Sequence, residues 1–331
     1  MSLSAESSPI QRSPIESLPT ASVVPAAADL SPISGIEDPT DITFLRQPHG
    51  GYDLTLRVAP LSQVVPHEHY HARRVDDLTA RLLADGRLIN PPIVAQQGEK
   101  FVVLDGATRL TAMRQLNFPY VVVQVVDLDP DKAQHKIELT SWNHVLFGGK
   151  LADLLAALRD VPGLRLAPVL LDNAGREELS GDTLGSLTTA DGESFVLETL
   201  SRSAVAMDEL WLHVLNDVVE CYGQWGNVER TLSSDVLGLR TQFPNFAALV
   251  TFPRFTPQMI LAIAAQGRTV PAGITRFVIP GRILRLNVPL EKLVADEPLA
   301  AKQAWLDDLI REKLHARQVR FYEEPVVLLD E

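Results

Sequence analysis

The segment Phe101-Val102-Val103-Leu104-Asp105-Gly106-Ala107-Thr108-Arg109-Leu110 constrains this chain most. Its first four residues are apolar and rich in β-branched side chains, the pattern of a buried strand. Asp105-Gly106 ends that strand. Leu110, Met113 and Leu116 then fall at helical spacing, so a short helix opens near Thr108 and closes at Asn117 and Pro119. A strand running straight into a helix is suited to an anion. Gly106 lets the backbone approach a ligand closely. The helix start aims unpaired N–H groups and a positive dipole end at it. Thr108 adds a hydroxyl donor and Arg109 a fork that fits phosphate oxygens. Asp105 offers a carboxylate for Mg²⁺ or for orienting an attacking group. By spacing alone, Asp-Gly before a capping Thr is also an ordinary turn, and both readings stand.

The flanking sequence alternates strands and helices. Tyr52 to Val58 alternates like a half-buried strand, and Pro60 and Pro66 bracket a loop carrying His67-Glu68-His69. Val75, Leu78 and Leu82 mark a helix that Gly86 ends. Pro92 to Ala95 and Phe101 to Leu104 read as strands joined by a turn at Gly98, and Tyr120 to Val126 as a buried strand. Asp129-Pro130 is a helix start, with a helix expected through Trp142 towards Phe147. Gly148-Gly149 is a natural hinge. Beyond it, helices are expected around Leu151–Leu158, Val205–Val219, Gln258–Ala265 and Leu299–Leu314. Strands are expected at Asn227–Leu232, Ile274–Val288 and Val326–Leu329. The Ser/Pro-rich stretch up to Asp41 reads as a disordered tail. The expected class is therefore α+β (mixed α/β), with a tail at 1–41, a first domain at 42–149 and a second at 150–331.

Composition narrows the function. The 331 residues carry a net charge of −12. Nucleic-acid coats usually carry a basic patch, so the acidic balance disfavours DNA as a partner without removing it. Cys221 is the lone cysteine, so no internal disulfide forms; this suits a reducing compartment and a small core residue. No apolar run reaches the roughly 18 residues that span a bilayer, and no secretory signal pattern opens the chain. A cytoplasmic protein without a membrane partner is expected.

Leu104 to Met113 resembles the signature of the ParB/sulfiredoxin superfamily. So does the upstream order: a Pro66-His67-Glu68 loop, a helix ending in Asp85-Gly86, then Pro91-Pro92-Ile93-Val94. The likeness covers roughly Leu54 to Val126. Sulfiredoxins carry a catalytic Cys in the phosphate loop, and this loop has none. Chromosome-partitioning ParB proteins have a Gly-Glu-Arg-Arg type loop and a downstream DNA-binding helical domain. Here the loop is Asp-Gly-Ala-Thr-Arg, and the second half shows no basic helix-turn-helix. The free L-serine kinase branch carries Asp-Gly-x-x-Arg and a Glu in a His-Glu loop, and fits best. A second stretch is similar to the C-terminal segment of these kinases. It comprises Phe252-Pro253-Arg254-Phe255-Thr256-Pro257, then Gly267, Pro271 and Gly273, then Thr275 to Arg282.

This resemblance implies a ParB/sulfiredoxin-like nucleotide-binding domain, a second α/β domain and an active-site cleft between them. It implies phosphoryl transfer from ATP or ADP, with Mg²⁺, to the hydroxyl of free L-serine, giving O-phospho-L-serine. Glu68 is implied as general base and Asp105 as the residue orienting the nucleophile or the metal. Gly106, Ala107, Thr108 and Arg109 are implied to cradle the nucleotide. Trp142, Thr275 and Arg276 are implied to hold the amino acid, though Trp142 with Leu139 and Leu146 also reads as a core stripe. After the Thr-Arg pair, where the family commonly has a His, stands Phe277. That implies a weaker hold on L-serine, or else plain packing between Ile274 and Ile279. His67, His69 and His71 alternate, which on a strand places them on one face, but no carboxylate or Cys completes a usual metal set. The alternative function is a ParB-like transcriptional regulator that binds DNA with a nucleotide as switch.

Overall fold

The computed structural model describes residues 44–45, 52–53, 55–70, 72–129, 137–169, 182–200, 208–320 and 322; the expected tail and the expected strand at Val326–Leu329 lie outside them. In chain order the first half contains β1 (Phe44–Leu45), β2 (Tyr52–Asp53), β3 (Leu56–Pro60), β4 (Val64–Pro66), α1 (Ala72–Asp85), β5 (Arg87–Leu88), β6 (Ile93–Gln97), β7 (Lys100–Asp105), α2 (Ala107–Gln115) and β8 (Tyr120–Val126). Five of these strands form a mixed sheet in the order β3-β8-β6-β7-β4. Pairs β3/β8 and β6/β7 are antiparallel, and β6/β8 and β4/β7 are parallel. Gly86 ends α1 with φ 59°, its amide donating to Leu82 O at 3.0 Å.

The second half contains β9 (Glu138–Ser141), β10 (Asn143–Gly148), α3 (Leu151–Arg159), β11 (Leu164–Pro168), β12 (Thr183–Thr189), β13 (Ser194–Thr199), α4 (Glu209–Trp225), β14 (Gly226–Thr231), α5 (Val236–Gln242), β15 (Ala248–Thr251), α6 (Pro257–Ala265), β16 (Thr275–Val278), β17 (Val288–Pro289), α7 (Leu290–Val294) and α8 (Leu299–His315). Its main sheet has the order β11-β13-β12-β15-β10-β14, with every neighbouring pair antiparallel. The α+β class expected from the sequence holds.

Three local expectations change. The helix expected towards Phe147 is instead β9 and β10 over its described part. Helical spacing of Leu139, Trp142 and Leu146 was misleading because β10 lies inside a sheet, bonded to β14 on one side and β15 on the other. Consecutive residues His144, Val145 and Leu146 are all buried there, as an inner strand requires. The stretch Ile274–Val288 is strand only at its two ends, with irregular backbone between. The hairpin β12–β13 was not anticipated, although Asp191-Gly192 in its turn, with Gly192 at φ 96°, is a hairpin signal.

Two cores meet at the first sheet. Val94 and Val103 point into one, with Leu110, Met113 and Val121 to Val123. Ile93, Ala95, Val102 and Leu104 point into the other, which contains α4, α6 and the inner face of the second sheet. The first of these cores is completed from the far end of the chain by Leu286, Val288, Leu290, Leu293 and Leu306. Strand β17 pairs with β5, and α8 lies against the edge strand β3. Gln303 on α8 accepts from Val58 N at 2.8 Å and donates to Leu56 O at 3.3 Å, so a side chain occupies ladder positions on that edge. Residues after 149 therefore pack into both cores.

Lys302 is 2% exposed. Its ammonium donates to Lys292 O at 2.7 Å and Ala295 O at 2.8 Å, closing the C-terminal end of α7, and sits 5.2 Å from the Tyr120 ring centroid. Lys302→Met keeps the stem and strands both carbonyls. It is expected to cost about 1.5–3 kcal/mol, the scale for hydrogen bonds to a charged group, read from the urea midpoint at unchanged m-value.

Candidate active site

Strand β7 leaves the sheet at Asp105, and α2 begins without a side-chain cap: Gly106 is its N-cap at φ 102°. That left-handed backbone suits glycine. A Cβ there would come within 3.1 Å of Pro92 and 3.2 Å of the Arg109 guanidinium carbon. The first turn holds no acidic residue. The amides and positive dipole end of α2 thus face the cleft, where the neighbouring Asp105 carboxylate is itself paired to two guanidiniums.

Asp105 Oδ2 takes Arg109 Nη2 at 3.1 Å and Arg282 Nη1 at 3.0 Å. Arg109 also donates to Asn90 O at 2.7 Å and Pro91 O at 3.1 Å. Arg109 therefore braces the loop against the β6 entry as well as bordering the anion seat. Arg282 is a site residue that sequence spacing does not reveal; nothing in a Pro280-Gly281-Arg282 turn announces a partner far upstream.

Glu68 is placed by strand-like pairing between the two halves. His69 N donates to Val270 O and Val270 N to His67 O, both at 2.9 Å. The half-buried Glu68 carboxylate accepts from Gly273 N at 3.1 Å through Oε2, with the Thr275 hydroxyl 3.3 Å from the same oxygen. Among the described residues Oε1 takes no hydrogen bond, which leaves it for a ligand. Gly273, at φ 77°, is fixed on its other side as well. His144 Nε2 donates to Gly273 O at 3.0 Å, and the Tyr222 hydroxyl donates to His144 Nδ1 at 2.6 Å. Burial raises the Tyr222 pKa well above its ordinary value.

His67 is buried between Val103 O, which accepts from Nδ1, and the Thr275 hydroxyl, 2.7 Å from Nε2. Thr275 thus faces both His67 and Glu68, and its proton serves one acceptor at a time. Phe277, two residues on along β16, is 5% exposed and meets the His67 ring edge-to-face at 5.5 Å. Core packing is the reading of Phe277 that holds. Arg276 points away from Thr275, its guanidinium 5.2 Å from the Trp142 ring centroid. Trp142 and Arg276 are brought together, but neither lines the cleft that contains Glu68 and the Gly106 loop. His69 contacts Thr269 at 3.0 Å, His71 lies outside the described residues, and no group of three metal-ligating side chains occurs among the described ones.

The cleft has a volume of about 620 Å³ and draws its walls from both halves of the chain. Glu68, Asp105, Gly106, Ala107, Thr108 and Arg109 line it from the first half; Arg230, Ala272, Arg285 and Asn287 come from later in the sequence. With Arg74, Arg81 and Arg87 it gathers six arginines against Glu68, Asp85 and Asp105. An acidic chain therefore carries one locally cationic concavity, suited to a polyanion. Arg230 and Arg74 were invisible to motif reading, because neither belongs to a spaced pattern.

Burial lowers the His67 pKa below 6.5, outweighing the raising effects of Glu68, the Val103 carbonyl and Asp105. The unfolded chain accepts a proton here from pH 6.5 downward, while the folded chain resists until its own lower value. Stability is thus full above pH 6.5 and is lost as pH falls below it, with a slope of at most about 1.4 kcal/mol per pH unit. His67→Gln should flatten that part of the stability–pH curve in urea titrations from pH 7.5 to 5. Phe277→His, which buries a second imidazole against the first, should cost about 1–3 kcal/mol, read as a lower Tm.

No family model matches this chain. It is 26% identical over 281 residues to the ATP-dependent L-serine kinase SbnI of Staphylococcus aureus, covering 83% of this chain and 97% of that protein. The solved structure of C-terminally truncated SbnI from Staphylococcus aureus matches with a TM-score of 0.60 at 23% identity, covering 78% of this chain and 97% of that one. A free serine kinase in complex with AMP matches with a TM-score of 0.59 at 16% identity, covering 73% and 97%. This chain therefore has the fold of those proteins, along nearly their whole length.

Proposed function

We propose that this chain is a kinase of the ParB/sulfiredoxin superfamily acting on a free amino acid. It transfers the terminal phosphoryl group of ATP or ADP to the hydroxyl of L-serine, or a related small hydroxy amino acid, giving O-phospho-L-serine. One observation carries the reading: a carboxylate with one oxygen free, Glu68, opens into the same cationic cleft as the uncapped start of α2. The names of the relatives point the same way.

In this reading the amides of Gly106 and Ala107 and the Thr108 amide and hydroxyl hold the nucleotide phosphates. Arg109 braces the loop and Asp105. Glu68 Oε1 takes the hydroxyl proton as the oxygen attacks phosphorus, while the Gly273 N–H fixes Oε2. The bond to the bridging oxygen of the donor breaks, and the remaining nucleotide leaves with that electron pair. Mg²⁺ typically takes one or two carboxylates plus phosphates and water. Asp105 could give one such contact through Oδ1, which takes no hydrogen bond among the described residues, Oδ2 being held by two guanidiniums. Bound Mg²⁺ would supply charge neutralisation at the phosphates. A nucleotide-using reaction also suits the cytoplasm, the compartment expected from the lone cysteine.

The test is to combine the protein, Mg²⁺ and ATP or ADP with a panel of small hydroxy compounds and seek phosphorylated product by mass. O-Phospho-L-serine is expected, and an empty panel overturns the reading. Glu68→Gln keeps the shape and removes the base, so kcat should fall by about 10²–10⁴ with nucleotide affinity nearly unchanged.

A further inference from the structure

The arginines around Asp105 are committed: Arg109 to Asp105 and two carbonyls, Arg282 to Asp105 and Phe277 O. Arg276 is stacked on Trp142, outside the cleft lining. Arg230 differs. It projects from β14, an edge strand of the second sheet, opposite His144 in the ladder, and lines the cleft. Among the described residues its guanidinium makes no hydrogen bond or ion pair.

Its seat is built. A Cβ on Gly273 would lie 2.1 Å from Arg230 Nη2, 2.4 Å from Cζ and 2.5 Å from Nε. Three guanidinium atoms so nearly equidistant place the group across the bare Cα, where any other residue would displace it. The amide of that same Gly273 holds Glu68. Desolvation lowers the Arg230 pKa, Glu68 raises it, and Arg74 lowers it; Asp105 is not among the charges acting on it. Arg230 therefore belongs with Glu68 and Arg74, apart from the carboxylate at the phosphate loop. Two guanidiniums beside one carboxylate leave a positive surplus that an anion would neutralise.

We propose that Arg230, with Arg74 beside it, is the specificity-determining clamp for the carboxylate of the acceptor. The inference rests on the kinase reading and deepens it: the acceptor class becomes hydroxy acids, with neutral alcohols excluded. The geometry suits a 3-hydroxy acid. Its hydroxyl carbon and carboxylate carbon flank a single carbon, so a base for the hydroxyl and a cation for the carboxylate must stand side by side, as Glu68 and Arg230 do. A guanidinium can hold a carboxylate by two parallel N–H bonds, which fixes orientation as well as affinity.

The experiment compares L-serine with L-serinamide, which keeps the hydroxyl and amine but lacks the carboxylate, as acceptors for wild type and Arg230→Gln. Wild type should favour L-serine. Arg230→Gln should raise the L-serine KM by about 10–100-fold, the scale of a lost charged hydrogen bond, and leave L-serinamide turnover nearly unchanged. An equal fall in kcat for both acceptors would place Arg230 on the transferred phosphoryl group and overturn the clamp, as would no change for either. Should Arg230→Gln melt early, Arg230→Lys carries the test: lower selectivity for L-serine supports the clamp and unchanged selectivity overturns it. If wild type phosphorylates neither acceptor, the kinase reading fails separately. Calorimetric binding of L-serine to wild type with ADP present, lost in Arg230→Gln, would still support the anion clamp; equal binding or none would overturn it.

Discussion

The alternation of side chains along β6 and β7 governs the arrangement of everything else. Odd and even positions of these two strands feed different cores, Val94 and Val103 into one, Ile93, Ala95, Val102 and Leu104 into the other. A slip of one residue would exchange the two sets and disrupt both cores together. Register is consequently fixed from both faces, and so is the point where β7 leaves the sheet. Asp105 and Gly106 emerge there, so the position of the phosphate loop is set by hydrophobic packing on either side of the strand that delivers it.

The other half of the site is fixed by polar contacts in sequence. Tyr222 holds His144, His144 holds the Gly273 carbonyl, and the Gly273 amide holds Glu68. A carboxylate on a surface loop is thereby tied to a helix buried in the second core. The buried links among these contacts, Tyr222 to His144 and His144 to Gly273, favour one arrangement over its neighbours, because breaking either leaves a desolvated donor or acceptor. Preorganisation of this kind is what a base needs if it is to meet a hydroxyl in one orientation.

Much of the first sheet could be read in the sequence because its signals are local. The Tyr120–Val126 run, the Gly98 turn, Gly86 after α1 and the strand-to-helix switch at Asp105-Gly106 all depend on residues close together in the chain. Glu68 and Thr275 were legible only through family resemblance; their proximity, 3.3 Å between Thr275 Oγ1 and Glu68 Oε2, is a long-range fact. The failures share a cause. Residues Glu138 to Gly148 carry helix-like spacing, but pairing with β14, β15 and β16 outbids it through ladder hydrogen bonds that no local window contains. Arg282, Arg230 and the buried state of Phe277 likewise depend on partners that the fold supplies from distant sequence.

The return of the last helix to the first sheet bears on how the chain is made. Leu306 is fully buried in a core whose other members begin at Val58, and Gln303 closes the β3 edge. During synthesis, the five strands leave the ribosome well before α8 does. In that interval one face of the sheet lacks its final cover, and one edge presents unpaired backbone, the kind of surface that invites association with other chains. The first sheet to be translated is thus among the last parts to be completed, and a ribosome stalled after β8 has emerged but before α8 is made would present a sticky half-covered sheet to the cell's chaperones.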